Sequence, residues 1–229
     1  MAASCVLYYI TDRSQFPGDE PARRRALLAK IAEAARAGVD YIQLREKDLT
    51  ARELEALAHE AVRVIREAGK VATSDQRLTT SLLINSRADI ALAVGADGVH
   101  LPSNDISSEE ARDIWSKCGA GAPARERPVI TRSCHTGEDV VRAESKAADF
   151  AIFAPVFEKM GTAPTGLAAL REACRAQLPV LALGGVTLQN TRSCLEAGAA
   201  GIAAIRLFQE NKIEDVVRDF GWRSGLPLR

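Results

Sequence analysis

The sequence predicts a closed (β/α)8 barrel. Strand-like and helix-like segments alternate almost without interruption along 229 residues, and the alternation amounts to eight βα units. Short loops between parallel strands imply right-handed crossovers, with the helices covering the outside of one sheet. Eight units in this length favour closure, because such barrels commonly need about 200 residues or more. An open, doubly wound sheet is the alternative.

The strands are predicted where short apolar runs lie between turn signals. Most of these runs are rich in branched or aromatic side chains, as buried parallel strands are. In chain order they are Cys5–Thr11, Tyr41–Leu44, Thr80–Ile84, Gly98–Leu101, Pro128–Thr131, Phe150–Phe157, Val180–Leu183 and Gly201–Ile205.

The helices are predicted from apolar residues at helical spacing. Gly38 would end the first helix, and the Ser-Ser-Glu-Glu run from Ser107 would cap the fourth. No Pro-rich or Ser-rich linker interrupts the pattern, so one domain spanning 1–229 is predicted, with insertions at Ser14–Pro21 and Gly119–Arg127. The predicted helices are Ala22–Ala37, Ala51–Ala68, Arg87–Val94, Ser107–Lys117, Glu138–Ala147, Leu167–Ala176, Thr191–Ala197 and Ile213–Phe220.

The composition favours a globular protein that acts on small molecules. Hydrophobic residues make up 47% of the chain, and 30 basic residues balance 30 acidic ones. No basic stripe with interleaved aromatics indicates nucleic acid as a partner, and no run approaches the roughly 20 apolar residues of a membrane span. Five scattered cysteines without CxxC pairing are typical of reduced thiols, so a cytoplasmic protein is expected. The oligomeric state is left open, a homo-oligomer included.

Charged residues directly follow the second predicted strand. Gln43, Arg45 and Lys47 stand at alternate positions, so they would project to one side of the strand. Ligands bind at the carboxyl ends of parallel strands, and this cationic cluster would suit a phosphate or diphosphate. The plainer alternative is a set of solvated charges where the strand passes into a loop.

Polar groups follow the other predicted strands as well, and their shared location indicates a site for a phosphorylated small molecule. Gly184 and Gly185 would let backbone N–H groups approach a phosphate, unless they only form a tight turn. Arg206 would add a bidentate contact, or is simply solvated. The remaining groups are Asn85, His100, Asp105, Ser133, His135 and Lys159.

Two of these residues are candidates for chemistry. Asp105 would bind Mg²⁺, which usually takes one or two protein carboxylates alongside substrate phosphates, or it caps the next helix. His135 would act as a general acid or base, or caps a helix together with Thr136. No serine or cysteine has a paired base and an orienting carboxylate at a recognisable spacing, so no enzyme nucleophile is predicted.

A series of short motifs, in order over roughly residues 8–208, resembles the thiamine phosphate synthase family. The closely similar thiazole tautomerases share the barrel and most of the motifs, so the resemblance first identifies the superfamily. The motifs are Tyr9–Asp12, Ile42–Lys47, Leu83–Asn85, Gly95–Leu101, Ser133–Thr136, Ala148–Phe150, Ala154–Phe157, Leu183–Val186 and Gly198–Ala203.

The resemblance implies transfer of a hydroxymethylpyrimidine group from its diphosphate to a thiazole phosphate, with Mg²⁺ assisting departure of the diphosphate. It implies that the pyrimidine diphosphate is held by Gln43, Arg45, Lys47 and Asn85. It also implies that Asp105 binds Mg²⁺, that Ser133 contacts the diphosphate or the pyrimidine, and that Gly185 and its neighbours hold the thiazole phosphate. The catalytic residues expected on this basis are Arg45, Lys47, Ser133 and His135.

The sequence also departs from the synthase pattern. Ser86 stands where the family has a metal-binding aspartate, and Arg206 stands where it often has serine. Lys159, in an altered loop, would replace the family's lysine. In the tautomerase branch, the histidine matching His135 moves a proton without a metal. The synthase is preferred, because a tautomerase has no diphosphate for the Gln43 cluster to bind; a non-catalytic binder of a thiazole or pyrimidine phosphate is the third alternative.

Overall fold

Eight parallel strands close into a barrel in the computed structural model of the chain, which describes residues 5–71, 80–118, 127–158 and 163–220. Each strand pairs with its successor, and the last pairs with the first through Val6 and Gly201. The predicted (β/α)8 barrel is therefore confirmed over the open sheet. The strands are β1 (Val6–Ile10), β2 (Tyr41–Leu44), β3 (Ser81–Asn85), β4 (Gly98–Leu101), β5 (Val129–Cys134), β6 (Phe150–Phe153), β7 (Val180–Ala182) and β8 (Gly201–Ala204).

Helices follow the strands, as the alternation predicts. A 3₁₀ turn at Arg13–Gln15 and the short helix α8 were not predicted. None of the described helices is long and apolar enough to cross a membrane. The helices are α1 (Glu20–Ala37), α2 (Ala51–Val71), α3 (Ala88–Val94), α4 (Ser108–Cys118), α5 (Gly137–Ser145), α6 (Gly166–Ala173), α7 (Thr191–Glu196), α8 (Arg206–Gln209) and α9 (Ile213–Phe220).

Two predicted strand ends are wrong. Strand β5 continues past Thr131 to Cys134, because Ser133 points into the barrel, where it has a hydrogen-bond partner, while Cys134 joins the outer core. Strand β6 stops at Phe153 instead of Phe157, because Pro155 has no N–H to continue the ladder. Ser133 therefore lies within its strand, not after it.

Aspartates at the amino ends of three even-numbered strands link neighbouring strands of the barrel by hydrogen bonds. Each precedes its strand, and its carboxylate accepts a hydrogen bond from a backbone N–H of the preceding odd-numbered strand. The register of the strand pairs β1–β2, β3–β4 and β5–β6 is therefore fixed by these side chains as well as by the backbone hydrogen bonds between the strands. The pairs are Asp40 with Leu7 (2.9 Å), Asp97 with Leu82 (2.8 Å) and Asp149 with Ile130 (2.8 Å).

The core has two parts. The larger fills the space between the sheet and the helices, and the smaller lies inside the barrel. Aromatic rings occupy this interior, with Tyr8 5.9 Å from Tyr41 and Tyr41 5.2 Å from Phe150 between centroids. Buried polar side chains share the interior, among them Gln43 and His100. They follow the aromatic positions along the strands, so the polar part lies toward the carboxyl ends.

Candidate active site

Seven polar side chains form one continuous hydrogen-bonded chain inside the barrel. It crosses the interior where Tyr8 of β1 meets Thr131 of β5, strands on opposite sides of an eight-stranded ring. The successive contacts are Ser133 Oγ to His100 Nε2 (2.9 Å), His100 Nδ1 to Thr131 Oγ1 (2.8 Å), Thr131 Oγ1 to Tyr8 Oη (3.1 Å), Tyr8 Oη to Gln43 Oε1 (3.2 Å), Gln43 Nε2 to Asn85 Oδ1 (2.8 Å) and Asn85 Nδ2 to Ser86 Oγ (3.1 Å).

This chain brings together four of the polar residues that the sequence analysis named, Gln43, Asn85, His100 and Ser133. Sequence analysis missed Tyr8 and Thr131, which connect them. A Tyr and a Thr inside apolar strands resemble ordinary core residues, and only their burial beside other polar groups reveals the connection. The predicted residues thus belong to one preorganised unit.

His100 is held neutral within this chain. Burial lowers its pKa to about 3, and the positive charges of Arg45, Arg132 and Lys47 act in the same direction. An imidazole with so low a pKa is a weak base. The contact between Ser133 and His100 therefore does not by itself make a nucleophile activated by a base.

The carboxyl end of β2 carries the cationic group that the sequence predicts. Gln43 is buried in the strand, Arg45 is half-buried just beyond it, and Lys47 is exposed in the following turn. Both cations act on the pKa of His100, which places their charge beside the hydrogen-bonded chain. This arrangement favours a polar site at the end of β2 over the alternative that these residues are only solvated charges.

Glu46 lies between Arg45 and Lys47 in the sequence, but its carboxylate binds Thr11 and Arg13. Its carboxylate accepts hydrogen bonds from the Thr11 hydroxyl (2.6 Å) and from the backbone N–H and guanidinium of Arg13 (3.0 and 3.1 Å). Burial raises the pKa of Glu46, while Thr11 and Arg13 lower it. This carboxylate is therefore committed to Thr11 and Arg13, which hold the loop.

The same cluster shapes the loop that carries Arg45. Thr11 accepts a hydrogen bond from the Arg45 backbone N–H (2.9 Å), and Arg13 also binds Asp48 through both terminal nitrogens (2.7 Å each). The Arg13 side chain is only 6% exposed. A buried arginine thus fixes both ends of the turn between β2 and α2.

Arg132 organises the loop that carries Asp105. Its guanidinium donates to the backbone carbonyls of Ser103 (3.2 Å), Asp105 (3.1 Å) and Ile106. Asp105 is half-buried, and its carboxylate accepts the Ile106 backbone N–H (2.8 Å), so it does not cap the helix. The cap is Ser107 with Glu110, as predicted. Sequence analysis missed Arg132, because an outward-facing arginine in a strand shows no signal of its target.

The donor set for Mg²⁺ is small. Among the residues that the structure describes, no three His, Cys, Asp or Glu side chains form a group that could hold a metal ion. Asp105 offers one carboxylate, and Ser86 offers a hydroxyl that Asn85 already contacts. Such a set fits Mg²⁺ only when phosphate oxygens of a substrate supply further ligands, which is the usual manner of binding for this ion.

Gly184 and Gly185 are required by packing. Both have positive φ (96° and 64°), and a Cβ at Gly184 would lie 2.7 Å from the Cα of Pro155. Asn190 closes the turn by donating to the Gly185 carbonyl (2.9 Å). The two glycines therefore do form a tight turn, and their contact with a phosphate stays a prediction.

Two further predicted residues lie just beyond the carboxyl ends of their strands, as expected. Arg206 is exposed at the start of α8, because β8 already ends at Ala204. His135 is exposed beyond β5, and its Nδ1 donates to the Ala154 carbonyl (2.7 Å), since a carbonyl can only accept. The cap of α5 is Thr136, as one alternative held. Lys159 lies outside the described residues.

A (β/α)8 barrel with cationic and polar side chains gathered at the carboxyl ends of its strands is the scaffold of an enzyme for an anionic small molecule. Comparison with known proteins is more specific, because a family model described as thiamine monophosphate synthase matches residues 7–208. The chain belongs to this family, which confirms the resemblance seen in the sequence.

Individual relatives agree with the family match. A thiamine-phosphate synthase from Roseiflexus castenholzii is 36% identical over 208 residues, covering 87% of this chain and 79% of the relative. One from Syntrophomonas wolfei is 35% identical over 206 residues, covering 87% and 86%. Among solved structures, thiamine phosphate pyrophosphorylase from Pyrococcus furiosus superposes with a TM-score of 0.72 at 28% identity, covering 93% of this chain and 92% of the other.

Proposed function

We propose that this protein is a thiamine phosphate synthase, a transferase that moves a hydroxymethylpyrimidine group from its diphosphate to a thiazole phosphate. The observation that carries the proposal is the joining of Gln43, Asn85 and Ser133 in one chain beside Arg45 and Lys47. The family match and the relatives support the same function.

Arg45 and Lys47 bind the diphosphate and stabilise the charge that grows on it as it departs. The bond from the pyrimidine methylene to the diphosphate breaks, and both electrons leave with the diphosphate. The lone pair of the thiazole ring nitrogen then forms the new bond to the methylene carbon. A carbenium-like pyrimidine needs no enzyme nucleophile, in keeping with the low pKa of His100. Gln43 and Asn85 orient the pyrimidine, because their amides are already fixed by hydrogen bonds.

The other substrate lies on the opposite side of the barrel mouth in this proposal. Gly184 and Gly185, at the end of β7, hold the thiazole phosphate through backbone N–H groups, with Arg206 and Lys159 adding positive charge. We also place the protein in the cytoplasm, since all five cysteines are free thiols. A homo-oligomer stays a prediction, as does the single domain over 1–229.

Mg²⁺ is part of the proposed function. Asp105 would hold the ion together with diphosphate oxygens, and the ion would supply positive charge to the leaving group. Ser86 weakens this set in comparison with a carboxylate. Its φ of 62° is a conformation in which Asp and Asn are favoured among the residues other than glycine, so the backbone at this position tolerates an aspartate.

The metal proposal is tested by substitution at Asp105 and Ser86. We expect Asp105→Ala to lower kcat/KM for Mg²⁺-dependent condensation by about 100-fold, since a charge on the departing diphosphate is left unbalanced. Ser86→Asp should reduce the Mg²⁺ concentration needed for half-maximal rate. Pyrophosphate release and thiamine phosphate formation are followed while Mg²⁺ is titrated.

Two control variants make this test specific. Asp113→Ala removes an exposed carboxylate of α4 that is paired with Lys117, and it should leave the Mg²⁺ dependence unchanged. Ser86→Asn matches the shape of Asp without its charge. Equal effects of Ser86→Asn and Ser86→Asp, or no effect of Asp105→Ala, would contradict the metal assignment.

One observation favours the tautomerase as a second candidate. Because the Nδ1–H of His135 is held by the Ala154 carbonyl, the Nε2 of the neutral ring is left as the proton acceptor. We expect His135→Asn to leave condensation largely intact, since the diphosphate groups lie elsewhere. Isomerisation of the thiazole phosphate by the wild type, unaffected by a chelator and lost in this variant, would favour the tautomerase instead.

A further inference from the structure

The direction of the protons in the inner hydrogen-bonded chain determines what Ser133 can offer a ligand. Each hydroxyl or N–H proton can be donated to only one acceptor. Once the donor in the bond at one end of the chain is known, the donor in every other bond follows. If Tyr8 donates to the Gln43 carbonyl oxygen, its oxygen must accept from Thr131. Thr131, having used its proton, then accepts from His100.

The tautomer of His100 follows from this sequence of bonds. Nδ1 carries the proton that Thr131 accepts, and burial keeps the ring neutral, so Nε2 has a lone pair and no proton. Ser133 must therefore donate its own proton to Nε2 (2.9 Å). In the alternative arrangement the side-chain amides of Gln43 and Asn85 are rotated by half a turn, and donor and acceptor exchange roles in every bond. His100 would then carry its proton on Nε2, and the Ser133 hydroxyl would be free to donate to a ligand.

Electrostatics selects between these two directions. Ser133 lies two residues beyond Thr131 toward the carboxyl end of β5, so Nε2 is the ring nitrogen nearer the barrel mouth. Arg45 and Lys47 lie beyond the carboxyl end of β2, at that same mouth. The negative end of the neutral imidazole dipole, its lone pair, is stabilised when it faces these cations. An N–H turned toward them would be repelled.

We propose that Tyr8 and Thr131 are positioning residues that hold His100 in its Nδ1–H tautomer, so that Ser133 gives its proton to His100 and presents only lone pairs to the ligand. Ser133 then accepts a hydrogen bond from an N–H or O–H of the ligand. A diphosphate at neutral pH offers acceptors almost exclusively. This inference rests on the proposed function, and it means that the Ser133 hydroxyl contacts the pyrimidine of the substrate and not its diphosphate.

The tautomer is measured directly by NMR. The chain has three histidines, so in protein labelled with ¹⁵N-histidine the His59→Asn and His135→Asn variants identify the His100 signals by elimination. Long-range ¹H–¹⁵N correlation should show Nδ1 protonated and Nε2 unprotonated at neutral pH. A protonated Nε2 in the wild-type protein would overturn the proposal.

The positioning role is tested at Thr131. Thr131→Val keeps the shape but removes the oxygen that fixes Nδ1–H, and we expect it to give a mixture of the two tautomers. Thr131→Ser retains the hydroxyl and should restore the single tautomer, a result that a purely structural role would not produce. An unchanged tautomer in Thr131→Val would count against the role of Thr131.

The ligand assignment is tested by calorimetry with two compounds. We expect Ser133→Ala to weaken binding of hydroxymethylpyrimidine diphosphate by about 5- to 10-fold, the effect of one lost hydrogen bond, and to leave the affinity for inorganic pyrophosphate unchanged. Equal weakening for both compounds would overturn the assignment. If the wild type bound neither compound, the proposed function would fail, and the tautomer measurement would still decide the proton direction by itself.

Discussion

Replacing Arg45 with Gln is expected to lower kcat/KM for condensation by about 10²- to 10³-fold, which is the usual effect of removing one preorganised donor from a developing negative charge. Arg45 is half-buried beside the inner chain, and its backbone is fixed by Thr11. In the proposed function its charge therefore acts on the departing diphosphate without reorganisation. Steady-state kinetics of pyrophosphate release measure the effect, which should fall on kcat as well as on KM.

The matched control is Arg87→Gln. Arg87 follows the neighbouring strand β3, but its guanidinium is already paired with Asp89 through two contacts of 2.9 and 2.6 Å. The same change of charge should therefore have a much smaller effect there. Comparable losses in both variants would indicate that only the overall charge of the barrel mouth matters, and would contradict a specific role for Arg45.

Arg13→Met is expected to lower the free energy of unfolding by about 3 kcal/mol, because it leaves a buried carboxylate without its cation. The Glu46 side chain is 2% exposed and receives two hydrogen bonds from Arg13 besides that of Thr11. The backbone N–H of residue 13 survives the substitution, but the guanidinium does not. Urea denaturation at neutral pH measures the change.

A double variant tests the cause of this loss. Adding Glu46→Gln to Arg13→Met removes the unpaired charge, so part of the stability should return. Arg63→Met is the surface control, because the pair of Arg63 with Glu67 is exposed and such pairs contribute little. Strictly additive losses in the double variant would show that Arg13 and Glu46 are not coupled.

The arginine cluster also has a functional consequence. Glu46 and Thr11 fix the backbone of Arg45, so a loosened cluster should reduce catalysis beyond its effect on stability. The adjacent residues Arg45, Glu46 and Lys47 therefore have different tasks. In the proposed function the two cations bind the diphosphate, whereas the carboxylate between them holds the loop. Alternation of side chains along the chain separates these tasks.

Much of the fold could be predicted from the sequence, because the relevant signals are local. Apolar runs marked every strand, and Gly38, with a φ of 86°, ends α1 as a glycine in the left-handed conformation should. The ends of β5 and β6 were wrong for a physical reason. Polar residues inside a barrel resemble the end of a strand, and Phe157 resembles its continuation.

The candidate site was predicted only in part. Gln43, Arg45, Asn85 and Ser133 were named correctly as neighbours, because the carboxyl ends of parallel strands must meet. The connecting residues Tyr8 and Thr131 are separated by 123 positions, and nothing local links them. The contacts of Arg132 with the Asp105 loop could not be predicted either. Arg132 binds backbone carbonyls, and every residue has one, so the sequence does not indicate which are bound.

The sequence alone therefore determined the architecture, the family and the type of charge at the strand ends, since these follow from short-range pattern and motif. Only the tertiary structure decided which groups share protons and which carboxylates bind Arg13. Closing the barrel brings β1 against β8 and sets Tyr8 opposite Thr131. The bond between Tyr8 and Thr131 depends on the closed barrel, because it joins residues 123 positions apart whose separation in space is fixed by the barrel and not by distance along the chain.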